Sequence, residues 1–168
     1  ISSEIRRITS EIKKISSKDE QNKAFGSLYF SAATVYFQKG ENAEAMRYIQ
    51  QSISSFDSTT GDEIKIGDAY LLKAHGLLAE KNYDEAIVIL GEAKTLKTLN
   101  RVQNLEFLLL MSQINEGKGE LQTAVDLSEQ GIVEAKQLKQ PELLRKFYFN
   151  AAHLYKKLNK PVDAQNKL

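Results

Sequence analysis

The chain has no cysteine, no tryptophan, two prolines, two histidines and no surplus of either charge over its 168 residues. Each shortage excludes something. Without thiols there are no disulfides, no Cys-ligated zinc and no thiol nucleophile; the lack fits any compartment. With Pro141 and Pro161 as the only prolines, long helices can run unbroken. Lys plus Arg number 23 against 22 Asp plus Glu, a formal charge of +1. A nucleic-acid binder shows a strongly basic face, and this balance speaks against one. Purely apolar runs stop at four or five residues, as in 107–111, far short of a membrane span. No early segment has the charged, apolar, small-residue order of a signal peptide, and the expected location is cytoplasmic. The chain begins at Ile1 and stops at Leu168 within a helix-forming stretch, so it reads as a piece of a longer protein.

Reactive chemistry is also scarce. Catalysis needs a nucleophile, base or metal set within mutual hydrogen-bond reach. There is no HExxH and no glycine-rich phosphate loop; the GKGE of 117–120 reads as a turn between helices. The acidic pair Asp84 and Glu85 falls in a first helical turn, where it complements the helix dipole. No enzymatic role, cofactor or metal is expected.

What is present is a repeat. The strings KGENAEA, EKNYDEA, KGELQTA and LNKPVDA align on Ala45, Ala86, Ala124 and Ala164, at spacings of 41, 38 and 40 residues. Each follows one run with helical periodicity and precedes another. Each carries a helix-stopping residue near its front: Gly40, Asn82, Gly119 or Asn159. Pro161 stands where a first-turn proline is tolerated. Nine residues before each alanine stand Tyr36, Leu77, Asn115 and Tyr155; twelve before, Ala33, Ala74, Ser112 and Ala152; sixteen before, Tyr29, Tyr70, Leu108 and Tyr148. Small residues at two fixed places and large ones at two others are what closely packed helices require. Asn115 alone breaks the pattern.

These strings resemble tetratricopeptide repeats, whose first helix carries a large, a small and an aromatic residue and whose second carries an alanine. Residues 67–100 match best, with Tyr70, Ala74, Leu77, Tyr83, Ala86, Leu90 and Ala93 in place and Lys73 where leucine is usual. The third unit departs at Asn115, Ser128 and Gly131. The resemblance covers 20–168 and implies an all-α, right-handed α-solenoid of antiparallel helix pairs, with units at 20–59, 62–98, 100–138 and 141–168. The spacings exceed the usual 34 residues, and the excess is expected in the second helix and the following turn, as in the 54–63 segment. Longer repeats of this kind are similar to those of peptide-sensing bacterial transcription regulators, sensor kinases and adaptors such as kinesin light chain.

Residues 1–18 differ from the rest. Ile1, Ile5, Ile8, Ile12 and Ile15 are spaced 4-3-4-3 and give one apolar stripe. It reads either as a short coiled coil supporting a homo-oligomer or as the second helix of a preceding repeat. Two heptads rarely hold a coiled coil alone, which favours the latter.

The resemblance also implies a working surface, the concave face lined by the first helix of each pair. The implied groove residues are Ser27, Phe30, Thr34 and Phe37; Asp68, Leu71, His75 and Leu78; Glu106, Leu109, Gln113 and Glu116; Lys146, Phe149, His153 and Lys156. One row of these is always large and apolar (Phe30, Leu71, Leu109, Phe149). The next is always polar and holds both histidines. Such rows suit a protein or peptide ligand that buries alternate side chains and pairs its backbone amides. Asp68, Glu106 and Glu116 lie in the middle units, with Lys146, Lys156 and Lys157 in the last, a polarity a partner can read. The lysine of the family's carboxylate clamp is absent, since Phe30 stands in its place. At a helix spacing of about 8–10 Å, His75 and His153 are expected roughly 20 Å or more apart, too far to share a metal or a proton. If the alignment holds, Ala86 is wedged between helices. Ala86→Leu should then cost about 1–3 kcal/mol in denaturant unfolding through overpacking, whereas a neutral substitution would place Ala86 elsewhere.

Overall fold

The computed structural model describes residues 2–57, 59, 63–95 and 99–158, leaving aside the side chains of 63 and 64. The expectations for Asn159, Pro161, Ala164 and Ile1 lie outside the described residues. Every regular element among the described residues is an α-helix: α1 (Ser2–Ile12), α2 (Lys18–Gln38), α3 (Asn42–Phe56), α4 (Glu63–Ala79), α5 (Tyr83–Thr95), α6 (Arg101–Gly117), α7 (Leu121–Gln137) and α8 (Pro141–Lys157).

Short, repeated turns make the helices antiparallel. Between α2 and α3 the chain reverses on Gly40 at φ 74°, and between α6 and α7 on Gly119 at φ 83°. The left-handed region is open to glycine without steric cost. In the α4–α5 turn the same conformation falls on Lys81 (φ 60°), not on Asn82, and between α7 and α8 on Lys139 (φ 54°). The assignment of Asn82 as the helix stop is therefore corrected by one residue. Asn82 instead donates its backbone N–H to Leu77 O at 2.9 Å, as Glu41 does to Tyr36 O and Glu120 to Asn115 O. These are the six-to-one bonds of a Schellman ending. The geometry of the turn outweighs the identity of its residue: Lys81 adopts the conformation its neighbours on both sides demand.

Capping sets the other ends. Ser17 accepts the Glu20 N–H at the start of α2, and Asn100 with Gln103 forms a capping box at α6. The variable spacing lies in the second helices and the connections that follow them. α4 and α6 both have 17 residues, whereas α3 has 15 and α5 has 13.

Packing then bends the stack. α2 meets α4, α4 meets α6 and α6 meets α8, whereas among the described residues α3, α5 and α7 do not approach one another closely. Helices close on one side and splayed on the other give a curved right-handed α-solenoid with α2, α4, α6 and α8 on its inner face. The aligned small residues sit at the crossings: Ala33, Ala45, Ala74, Ala86, Ala124 and Ser112 are fully buried. α1 packs on α2, with Ile12 buried and Ile5 against the main core. It is shorter than its isoleucine stripe, because the chain turns after Ile12 and Gln21 Nε2 donates to Ile15 O at 2.7 Å.

The irregular third unit has a physical explanation. Ser112 Oγ donates to Ala124 O (2.7 Å) and lies 2.8 Å from Ser128 Oγ, and Asn150 Nδ2 donates to both hydroxyls at 2.8 Å. One buried polar node thus ties α6, α7 and α8 together. Asn115 turns its Nδ2 back to donate to Met111 O at 2.7 Å, within its own helix. At Gly131 a Cβ would lie 2.1 Å from the Phe147 ring, so glycine is required for that ring to seat; at Gly91 it would meet nothing within 4 Å. Gly131→Ala should therefore destabilise by about 1–3 kcal/mol. Gly91→Ala should be neutral or stabilising by up to about 1 kcal/mol, both read by denaturant melts.

Candidate functional site: the concave face

The inner face gathers residues from helices that do not adjoin in sequence. A cavity of about 460 Å3 opens between α4, α6 and α8, lined by His75, by Glu106, Leu109 and Gln113, and by Arg145, Lys146, Phe149, Asn150 and His153. Seven of these nine are among the groove residues implied by the sequence resemblance. Arg145 and Asn150 are not. Asn150 is drawn in from the side by its bonds to Ser112 and Ser128, a contact only the tertiary packing supplies. A smaller cavity of about 240 Å3, lined in part by Ser27, Phe30, Lys65 and Asp68, lies between α2 and α4.

The apolar row is unequal along its length. Leu71 is 2% exposed and Leu109 8%, so both side chains are mainly core; Phe30 is half-buried, and Phe149 is 72% exposed. Phe149 is by far the most open large apolar side chain on this face. Phe37 and Leu78 pack against the core, with the Phe37 ring seated over Gly76. Thr34 Oγ1 donates to Phe30 O at 3.0 Å. Lys156 is exposed and lines neither cavity.

His75 and His153 lie two units apart in the chain, and both line the central cavity. The acidic-to-basic polarity is also partly spent within the chain, since Glu116 Oε1 accepts from His153 Nε2 at 2.9 Å and from Lys157 Nζ at 2.5 Å. Asp68 likewise accepts from Gln103 Nε2 at 2.6 Å. No hydrogen bond or ion pair among the described residues reaches the side-chain polar atoms of His75, Gln113 or Lys146, which leaves these free to meet a ligand.

Electrostatics follow from the shape. His75 keeps contact with solvent but has protein around it on several sides, and this desolvation holds its imidazole below the ordinary value; the Lys146 ammonium adds to the effect. Desolvation pushes the Glu106 carboxyl up, Lys146 opposes the shift and Asp68 reinforces it. Among the described residues no three His, Asp or Glu side chains gather as metal ligands. No helix among them is long and apolar enough to cross a membrane.

Comparisons with known proteins agree with this geometry. Residues 26–57 match the tetratricopeptide repeat family. No curated protein matches the chain. Among solved structures, aspartyl phosphate phosphatase F from Bacillus subtilis superposes with a TM-score of 0.82 at 16% identity, over 97% of this chain and 42% of that one. BtubC (BKLC) from P. vanneervenii gives 0.83 at 15% identity, over 99% of this chain and 68% of that one. A putative kinesin light chain of nearly identical TPR-like repeats from Podosopora anserina gives 0.68 at 19% identity, over 97% and 79%. The chain thus spans less than half the length of the phosphatase structure it resembles. Helical repeats of this type are typically non-catalytic and serve protein–protein interaction.

The histidine gives a direct test of the cavity. Its folded-state pKa is depressed, so the unfolded chain takes up the proton first as pH falls. The associated stability is complete above 6.5 and is lost as pH drops from there through the folded value. In an NMR titration the His75 ring protons should show a midpoint below 6.5. Lys146→Ala should raise that midpoint only part of the way, since desolvation is the larger cause. The chain thus folds as a tetratricopeptide-like stack of helix pairs, and over residues 26–57 its sequence matches the tetratricopeptide repeat family.

Proposed function

We propose that this domain binds a peptide segment of a partner protein along the concave face, without catalysis, as the sensory or scaffold part of a larger cytoplasmic signalling or regulatory protein. One observation carries the reading: the cavity between α4, α6 and α8 combines an exposed aromatic ring, Phe149, with the unbonded polar ends of His75, Gln113 and Lys146. An apolar anchor point ringed by a few convergent polar groups is the usual composition of a binding pocket. Leu109 forms its floor and Asn150 a wall, each held by packing behind it. A rigid wall lowers the ordering cost that a ligand must overcome. The solved structures of similar fold support a protein-binding role at the level of fold.

The experiment is a selection of peptides from a displayed library on the immobilised domain, followed by affinity measurements. Phe149→Ala should weaken the selected peptides by about tenfold or more, the scale of an interface hot spot. The melting temperature should stay unchanged, because the ring is mostly in solvent. Lys146→Ala should weaken peptides that carry an acidic residue more than those that do not. Peptides that bind the Phe149→Ala protein as well as the parent would place the ligand surface elsewhere.

A further inference from the structure

On the side of α4 away from the concave face, α3 and α5 stand apart and leave an open notch of about 600 Å3. Asp57 beyond α3, Tyr70 on α4, and Glu92 and Thr95 on α5 line it. The carboxylates of Asp57 and Glu92 are exposed, and neither meets a cation or a hydrogen-bond donor among the described residues. Tyr70 differs from them. It is 6% exposed with its ring in the main core, yet its hydroxyl makes no hydrogen bond among the described residues. No fully buried polar side-chain atom in the described structure lacks a partner, so this hydroxyl opens into the notch. There it feels both carboxylates: partial burial first, then Asp57 and Glu92, push the Tyr70 hydroxyl up, and burial followed by Glu92 does the same to Asp57.

A phenol sunk in apolar packing normally has a partner for its hydroxyl. Phenylalanine would fill the same space without an open polar end. The notch is also unlike its neighbour. The corresponding gap between α5 and α7 mixes Lys94 and Arg101 with Glu134, so its charges balance locally. Of these two gaps, only the one at Asp57 and Glu92 presents acid with no base among its described lining residues.

We propose that this notch receives a lysine side chain of a partner protein. An ammonium group has three N–H donors and no acceptor, which suits the two carboxylates and the Tyr70 hydroxyl oxygen. The aliphatic stem of lysine lies well against apolar surface while its head stays polar, and the flank of the Tyr70 ring and the Thr95 methyl offer such surface. A divalent cation is poorly served, since the described lining residues include only two carboxylates and hard cations take six or more oxygen ligands. The contact is partly solvated and therefore weak alone; it adds selectivity to a wider interface on the convex side, separate from the concave groove.

The test uses the domain with N-acetyl-lysine methylamide at millimolar concentration, followed by NMR chemical shifts. Controls are the norleucine and arginine analogues and calcium ions. The lysine probe should shift Tyr70, Glu92 and Asp57 saturably, and norleucine should not. Glu92→Gln and Tyr70→Phe should each weaken binding severalfold, and Tyr70→Phe should keep the parent melting temperature. Asp57→Asn should raise the melting temperature of the free domain by relieving like-charge repulsion. Equal shifts with norleucine, tighter binding of arginine or calcium, unchanged binding by Tyr70→Phe, or a lower melting temperature for Asp57→Asn would each overturn the proposal.

Discussion

The fold depends on one contact type, an aromatic ring seated where the facing helix shows only glycine. Phe56 rests on Gly26, Phe37 on Gly76, Tyr83 on Gly117 and Phe147 on Gly131, each ring so close that a Cβ at the glycine would overlap it. Such contacts set how near two helix axes come and lock their register, because the ring has no other well-packed place to go. Phe56 and Phe147 join a helix to its sequence neighbour, while Phe37 reaches from α2 to α4 and so fixes one unit against the next. The same steric rule therefore makes both the hairpins and the stack.

Curvature follows from the unequal sides of that stack. The inner helices touch, the outer helices do not, and both faces gain a distinct character from this. Inside, α4, α6 and α8 converge until His75, Gln113 and His153 line one cavity. Outside, the splayed helices leave notches whose charge depends on which residues happen to border them. The polar node of Ser112, Ser128 and Asn150 stands between the two faces. It fills a crossing that elsewhere holds alanine, and every hydrogen bond in it is satisfied. A satisfied buried network resists distortion because breaking one member leaves the others unpaired. Asn150 belongs to that node and also lines the central cavity, so the wall of the candidate site is braced by the core behind it.

The chemistry of the inner face is that of recognition. Its polar groups are spaced around an apolar centre, and Glu116, the acid closest to a histidine, is already engaged by His153 and Lys157. What remains open to a ligand includes one ring, one amide, one ammonium, the Glu106 carboxyl and one imidazole whose proton affinity is lowered by its surroundings. Such groups pair with many peptide sequences, and selectivity must come from their arrangement.

Much of this was legible in the sequence because it rests on local rules. The alanine spacing, the large and small positions before each alanine, and the reversal at Gly40 and Gly119 all follow from helix periodicity and turn sterics. These hold whatever surrounds them. The residues of the inner face were expected from the family resemblance, and seven of the nine that line the central cavity are among them. The tertiary structure decided what depends on neighbours distant in the chain. It moved the left-handed residue to Lys81, buried Leu71 while leaving Phe149 in solvent, and drew Asn150 into the cavity through hydroxyls on two other helices. It also brought His153 to the cavity that His75 lines. Periodicity within a helix cannot report these, because burial and meeting distance depend on how far the whole stack bends, and the bend sums small offsets at every crossing.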